Sequence, residues 1–124
     1  MSTTRFTEDH EWIRREADGS ATVGITDHAQ DTLGDVVYVE LPEAGKRFAQ
    51  GDAAAVVESV KAAADVKMPI AGEILSVNAG LPDDPAVINS DPMGAAWFFT
   101  IRPDNSADID ALMDEAAYKN LIGE

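Results

Sequence analysis

Residues 56–69 read VVESVKAAADVKMP, and two incompatible structures compete for them. Ala, Glu and Lys favour a helix, and Val56, Val60, Ala63 and Ala64 fall near one face at helical spacing. Against that, the β-branched Val56, Val57 and Val60 lead up to Lys61 and Val66 follows it, with only alanines directly after the lysine. That order suits a hairpin with Lys61 at its tip. Local propensity alone favours the helix. The choice decides whether Lys61 is a solvated helix lysine or a group held out for chemistry.

Composition narrows the function before any motif does. A chain of 124 residues fits one domain spanning 1–124 with a modest core and no separate substrate domain. Its net charge of -14, from 23 acids against 9 bases, argues against nucleic acid, which needs a basic surface, and favours basic protein partners. With no cysteine there is no disulfide, no thiol nucleophile and no Cys-ligated metal from this chain, so any sulfur redox chemistry must be imported. The opening MSTTRFTEDHEW lacks an apolar or Arg-rich leader and no apolar run approaches 18 residues, so the expectation is a cytoplasmic protein outside the membrane.

Outward from the contested stretch, short strands dominate. HEWIRRE and ATVGI flank an Asp18-Gly19 pair that signals a hairpin. In TDHAQDTLG, Thr26 or Asp27 can cap a short helix that Gly34 closes. DVVYVE alternates as a strand, LPEAGKRFAQGD carries turn residues, and MPIAGEILSVN is a strand entered through Pro69. AGLPDDPAVINSDPMG is a long connection, and AWFFTIR is an aromatic strand. The tail SADIDALMDEAAYKNLIG reads as one amphipathic helix or two, with Ser106 or Asp108 as the cap. GDVVYV (34–39) and GEILSV (72–77) echo one another, each soon followed by Leu-Pro, as two halves of a small sandwich would.

Few residues are candidates for chemistry. Phosphate-loop, paired-histidine and nucleophile-elbow motifs are absent. His10 and His28 are too few and too dispersed for a metal site and read as ordinary polar residues. Trp12, Trp97, Phe98 and Phe99 read as core, and the acids of LPDDP and the tail as solvated surface. Lys61 remains. At an ordinary pKa of about 10.4 a lysine is a poor nucleophile at neutral pH, so it would have to be presented to another enzyme that supplies an activated acyl group. Ala62, Ala63 and Ala64 leave it unshielded, and Glu58 and Asp65 bracket it with acids that such an enzyme can read.

The chain resembles the H-protein of the glycine cleavage system, a lipoyl carrier. The resemblance runs in order through HEW (10–12), VGITDHAQDTLGDVVYVELPEAG (23–45), VVESVKAAADV (56–66), PIAGEILSVN (69–78), INSDPMGAAW (88–97) and LMDEAAY (112–118). It implies a mainly β fold, a lipoyl/biotinyl-type barrel-sandwich hybrid of two small sheets with short added helices and a C-terminal helical segment. It also implies lipoic acid amide-linked to Lys61, with the hairpin chosen over the helix. Glu11, Glu58 and Asp65 become candidate arm-docking or recognition residues. The implied partners are glycine decarboxylase, a pyridoxal-phosphate enzyme, then aminomethyltransferase, dihydrolipoyl dehydrogenase and lipoate-attaching enzymes. The protein would be a monomeric, non-catalytic carrier in glycine catabolism and one-carbon metabolism. Two departures, Ala64 where Ser or Thr is common and Met93 where an aromatic is frequent, leave the lysine untouched.

Other readings remain open at this point. A lipoylated H-like carrier could serve lipoate relay or sulfur oxidation. A biotin carrier is disfavoured because its Met-Lys-Met is replaced by Val60-Lys61-Ala62. A binding protein with an unmodified lysine, or a small enzyme, is the third class.

Overall fold

The computed structural model describes residues 4–123. Strands β1 (Thr4–Phe6), β2 (Glu11–Arg15) and β3 (Ala21–Ile25) open the chain, followed by helix α1 (Asp27–Leu33) and strands β4 (Val36–Glu40) and β5 (Arg47–Phe48). Strands β6 (Ala53–Ser59), β7 (Ala63–Lys67) and β8 (Gly72–Val77) come next, then α2 (Val87–Ser90), β9 (Phe99–Pro103), α3 (Ala107–Asp110) and α4 (Glu115–Ile122). They form a six-stranded sheet in the order β1-β2-β3-β9-β8-β5 and a three-stranded sheet in the order β4-β6-β7. This mainly β pair of sheets with short helices is the architecture that the resemblance implied.

The contested stretch is a hairpin. β6 lies at the centre of its sheet, hydrogen-bonded to β4 on one side and β7 on the other, with Val57 facing Ala64 and Glu58 facing Ala63. Ala55, Val57 and Ser59 point inward and are buried, and Val66 does the same from β7. A helix would satisfy the same backbone groups locally, but it would lose two ladders and the period-2 burial of these side chains.

The core lies between the sheets. Ile13 and Val23 from one side of the large sheet and Ile74, Phe99 and Ile101 from the other are fully buried, together with Val39, Val57 and Val66 from the small sheet. Trp12 sits in a second cluster with Phe6 and Tyr118, where its indole Nε1 donates to the Pro92 carbonyl at 3.1 Å. Phe98 and Phe99 are core as read, whereas Trp97 is only half-buried.

Elsewhere the structure refines or corrects the sequence reading. Thr26 caps α1 by accepting from the Ala29 N–H, and Gly34 ends it at φ 80°, ψ -154°, a conformation open to glycine. The 34–39 and 72–77 echo places β4 in one sheet and β8 in the other. Each ladder slips at the same place in the motif, between Val36 and Tyr38 and between Ile74 and Ser76. In the tail, Ser106 precedes α3 without a side-chain cap bond, Asp108 lies inside that helix, and the working cap is Asp114, which accepts from Ala117 N–H to start α4. Neither named cap is therefore used, because the tail breaks into two helices at Ala111–Asp114 and the second needs its own acceptor.

Candidate functional site

Lys61 stands at the tip of the β6–β7 hairpin and is exposed, as are Val60, Ala62 and Ala63 around it. Ser59, the last residue of β6, builds the tip. Its Oγ accepts from the Lys61 N–H at 3.3 Å and the Ala62 N–H at 3.1 Å and lies 3.2 Å from the Ala62 carbonyl, while its own N–H donates to that carbonyl at 2.7 Å. A serine that closes on backbone groups two and three residues on is a side-chain turn, and it makes one defined loop of a stretch that alanines alone would leave loose. The Val60 N–H donates to the Asp35 carbonyl at 3.0 Å, tying the tip to the residue after Gly34.

The lysine side chain itself is unencumbered. Among the described residues its Nζ makes no ion pair or hydrogen bond. It passes over the end of α1, where a Cβ on Gly34 would lie 3.4 Å from Lys61 Cε. Beside that crossing lies a cleft of about 260 Å³ between α1 and the hairpin, walled by Thr32 and Leu33 from α1 and by Val57 and Ala64 from the inner face of the hairpin. His10, His28 and Asp9 line it as well. A long arm on Lys61 could thus lie over α1 and enter a pocket with one apolar and one polar wall.

The acids divide into two groups. Glu58 and Asp65 stand on the outer face of the small sheet, opposite Ala63 and Val56 across the ladder, so neither lines the cleft. Glu11 is 2% exposed. One of its oxygens accepts from Thr7 Oγ1 at 2.6 Å and the other from the Lys67 N–H at 3.4 Å. Burial raises its pKa above the ordinary carboxylate value, and the Thr7 hydrogen bond opposes that rise. It lines a neighbouring cavity of about 380 Å³, and Asp9 lines both cavities. Glu11 and Asp65 are therefore on different surfaces.

Three site residues escaped the sequence reading. Ser59 carried a signal in its place just before a turn. Asp9, which pairs with Lys67 at 3.9 Å, looked like any loop acid. Tyr118, from the last helix, carried none: its hydroxyl lies 2.8 Å from His10 Nδ1 and 2.7 Å from Thr26 Oγ1. The histidines, dispersed in sequence, meet with ring centroids 4.7 Å apart. Among the described residues no group of three or more His, Asp or Glu is arranged to hold a metal ion.

The chain is thus a mainly β pair of sheets with an exposed lysine on the pinned tip of the β6–β7 hairpin, and comparison with known proteins gives the family. The sequence profile described as Glycine cleavage H-protein matches residues 4–124, and the chain belongs to that family. It is 58% identical over 120 residues to glycine cleavage system H protein 2 of Pseudomonas putida, covering 97% of this chain and 94% of that one. Identity to the glycine cleavage system H protein of Chromobacterium violaceum is 58% over 119 residues, covering 96% and 93%. The crystal structure of a glycine cleavage system H protein from Mycobacterium marinum superposes with a TM-score of 0.91 at 36% identity, covering 100% of this chain and 99% of that one.

Proposed function

We propose that residues 1–124 form one lipoyl-carrier domain that shuttles within the glycine cleavage system, with lipoic acid amide-linked to Lys61. The observation that carries this is the Lys61 tip, an exposed and unpaired primary amine on a loop whose backbone Ser59 pins, followed by alanines. The residues fit the group: the amine is accessible for amide formation, the chain has no sulfur nucleophile of its own, and the adjoining cleft offers an apolar wall of Leu33, Val57 and Ala64. When bound, lipoate supplies a dithiolane that takes an aminomethyl group from glycine decarboxylase, yields it to the tetrahydrofolate-dependent aminomethyltransferase and is reoxidised by dihydrolipoyl dehydrogenase.

The chain's own residues position this chemistry. Lysine and lipoyl together reach on the order of 14 Å if each of roughly eleven bonds advances a little over 1 Å, enough to visit partner sites while the sheets remain a rigid handle. Glu58 and Asp65 flank the tip on the outer face, where lipoate-attaching enzymes and partners with basic surfaces can read them. Buried Glu11, with Asp9 between the two cavities, provides negative charge for a cationic cargo. Among the described residues no helix is long and apolar enough to cross a membrane.

Incubation with lipoate ligase followed by peptide mapping tests the reading. The adduct is expected on Lys61 and not on Lys46, Lys67 or Lys119, and Lys61→Arg should fold yet carry nothing, since guanidinium cannot form the amide. An adduct on Lys67 with Lys61 bare would overturn it.

A further inference from the structure

The carrier reading assigns nothing to the two histidines or to Tyr118, yet the fold spends unusual geometry on joining them. His10 is the one non-glycine residue with positive φ among those described, at 70°, in a region where histidine is tolerated better than most residues. Its backbone is held from both sides, by its N–H to the Thr7 carbonyl at 3.1 Å and its carbonyl to the Thr26 N–H at 3.0 Å. The ring is thereby fixed on the wall of the 260 Å³ cleft. Tyr118 is 5% exposed and stacks on Phe6 with centroids 4.7 Å apart, so its hydroxyl is as firmly placed as the ring it serves.

The hydrogen bonds give this chain a direction. Thr26 Oγ1 already accepts from the Ala29 N–H, as the cap of α1, and has one proton to donate. Given to Tyr118 Oη at 2.7 Å, that proton frees the tyrosine O–H to donate to His10 Nδ1 at 2.8 Å. The neutral ring then carries its proton on Nε2, which has no hydrogen-bond partner among the described residues. Protonating His10 would place a hydrogen on Nδ1. Tyr118 would have to turn its own O–H toward Thr26, and Thr26 would have to accept twice and send its proton elsewhere.

We propose that Tyr118 is a positioning residue of the cleft: its hydroxyl, backed by Thr26, holds His10 as the neutral Nε2–H imidazole, so that His10 adds no positive charge to the wall facing an incoming cationic cargo. This rests on the reading of the cleft as a resting place for the arm. The surroundings act in the same sense. Burial, then the nearby His28 ring, hold the His10 pKa below its ordinary value, and Asp9 opposes them. The groups facing His10 are His28 from α1, Tyr118 from α4 and Asp9 from its own turn; the hairpin contributes only Val57 and Ala64 to the cleft.

Nitrogen-detected NMR of the histidine rings in the full, unmodified chain tests the relay without involving the arm. The wild type should show neutral His10 as the Nε2–H tautomer, and finding Nδ1–H instead overturns the proposal with no variant needed. Tyr118→Phe keeps the stack on Phe6 and removes only the hydroxyl, so the His10 titration midpoint should move upward. An unmoved midpoint with an unchanged tautomer also overturns it. The loaded carrier tests the role in the cleft. Loss of the aminomethyl group, followed by mass spectrometry without aminomethyltransferase, should quicken as pH falls through the His10 midpoint. The rise should begin at higher pH in Tyr118→Phe, making loss about two- to tenfold faster between the two midpoints, the span expected for one net hydrogen bond. Identical pH profiles would remove Tyr118 from the cleft's function. Failure of the carrier reading would appear separately, as an unmodified Lys61 in the peptide map.

Discussion

Ser59→Ala isolates what holds the Lys61 tip in place. The substitution deletes one hydroxyl that accepts from Lys61 N–H at 3.3 Å and Ala62 N–H at 3.1 Å and lies 3.2 Å from the Ala62 carbonyl. Two of the three contacts are long, at 3.2 and 3.3 Å, and the two amides belong to exposed residues that water can reach, so no buried donor is stranded. The 2.7 Å bond from Ser59 N–H to the Ala62 carbonyl survives, which keeps the hairpin closed. The expected loss is therefore about 1 kcal/mol, or about 4 °C in the thermal midpoint for a chain of this length. If the whole of that loss reflects order at the tip, kcat/KM for lipoylation by lipoate ligase falls by about fivefold at most. Calorimetry and a ligase time course measure the two quantities, with Ser59→Thr as the control that keeps the hydroxyl. An unaltered midpoint refutes the hydrogen-bond account. A lowered midpoint with unaltered lipoylation kinetics refutes the idea that the ligase reads the pinned tip.

Three further outcomes follow from the same geometry. Gly34→Ala imposes φ 80°, ψ -154° on a residue with a Cβ and should cost about 1–3 kcal/mol in urea denaturation, while Lys61, 3.4 Å from that Cβ, swings aside and is still lipoylated. Gly24→Ala places a methyl 2.8 Å from the Trp12 ring, which is 1% exposed and hydrogen-bonded to Pro92, so overpacking should cost about 1–3 kcal/mol, with a shift in tryptophan fluorescence. Because burial raises the Glu11 pKa, the folded chain holds that proton more tightly than the unfolded one, and its contribution to stability falls as pH rises above the ordinary value of 4.5. Glu11→Gln, which still accepts from Thr7, should resist urea better than wild type at neutral pH and lose that advantage below 4.5.

Local chemistry in the sequence determined a good part of this protein. The Asp18-Gly19 pair placed a hairpin between β2 and β3, and ATVGI became a strand with the bounds read from it, because turn conformations and strand alternation are properties of a few adjacent residues. Thr26 and Gly34 marked the ends of α1 for the same reason. The exposed hairpin-tip position of Lys61 was legible through its motif, and the 34–39 and 72–77 echo marks one strand in each sheet. Short elements were missed: β1, the two-residue β5 and α2 have too little periodicity to stand out, and β1 and β5 exist through their pairing with β2 and β8. Only tertiary structure decided between helix and hairpin for 56–67, since a helix's hydrogen bonds are local whereas those of β6 come from β4 on one side and β7 on the other. The same holds for the site. Glu11 is a buried acid because the Thr7 hydroxyl and the Lys67 amide, 56 residues away, close over it, and His10 meets Tyr118 across 108 residues. Charge and protonation at such positions depend on what packs against them, and separation along the chain carries no trace of that until the sheets have closed.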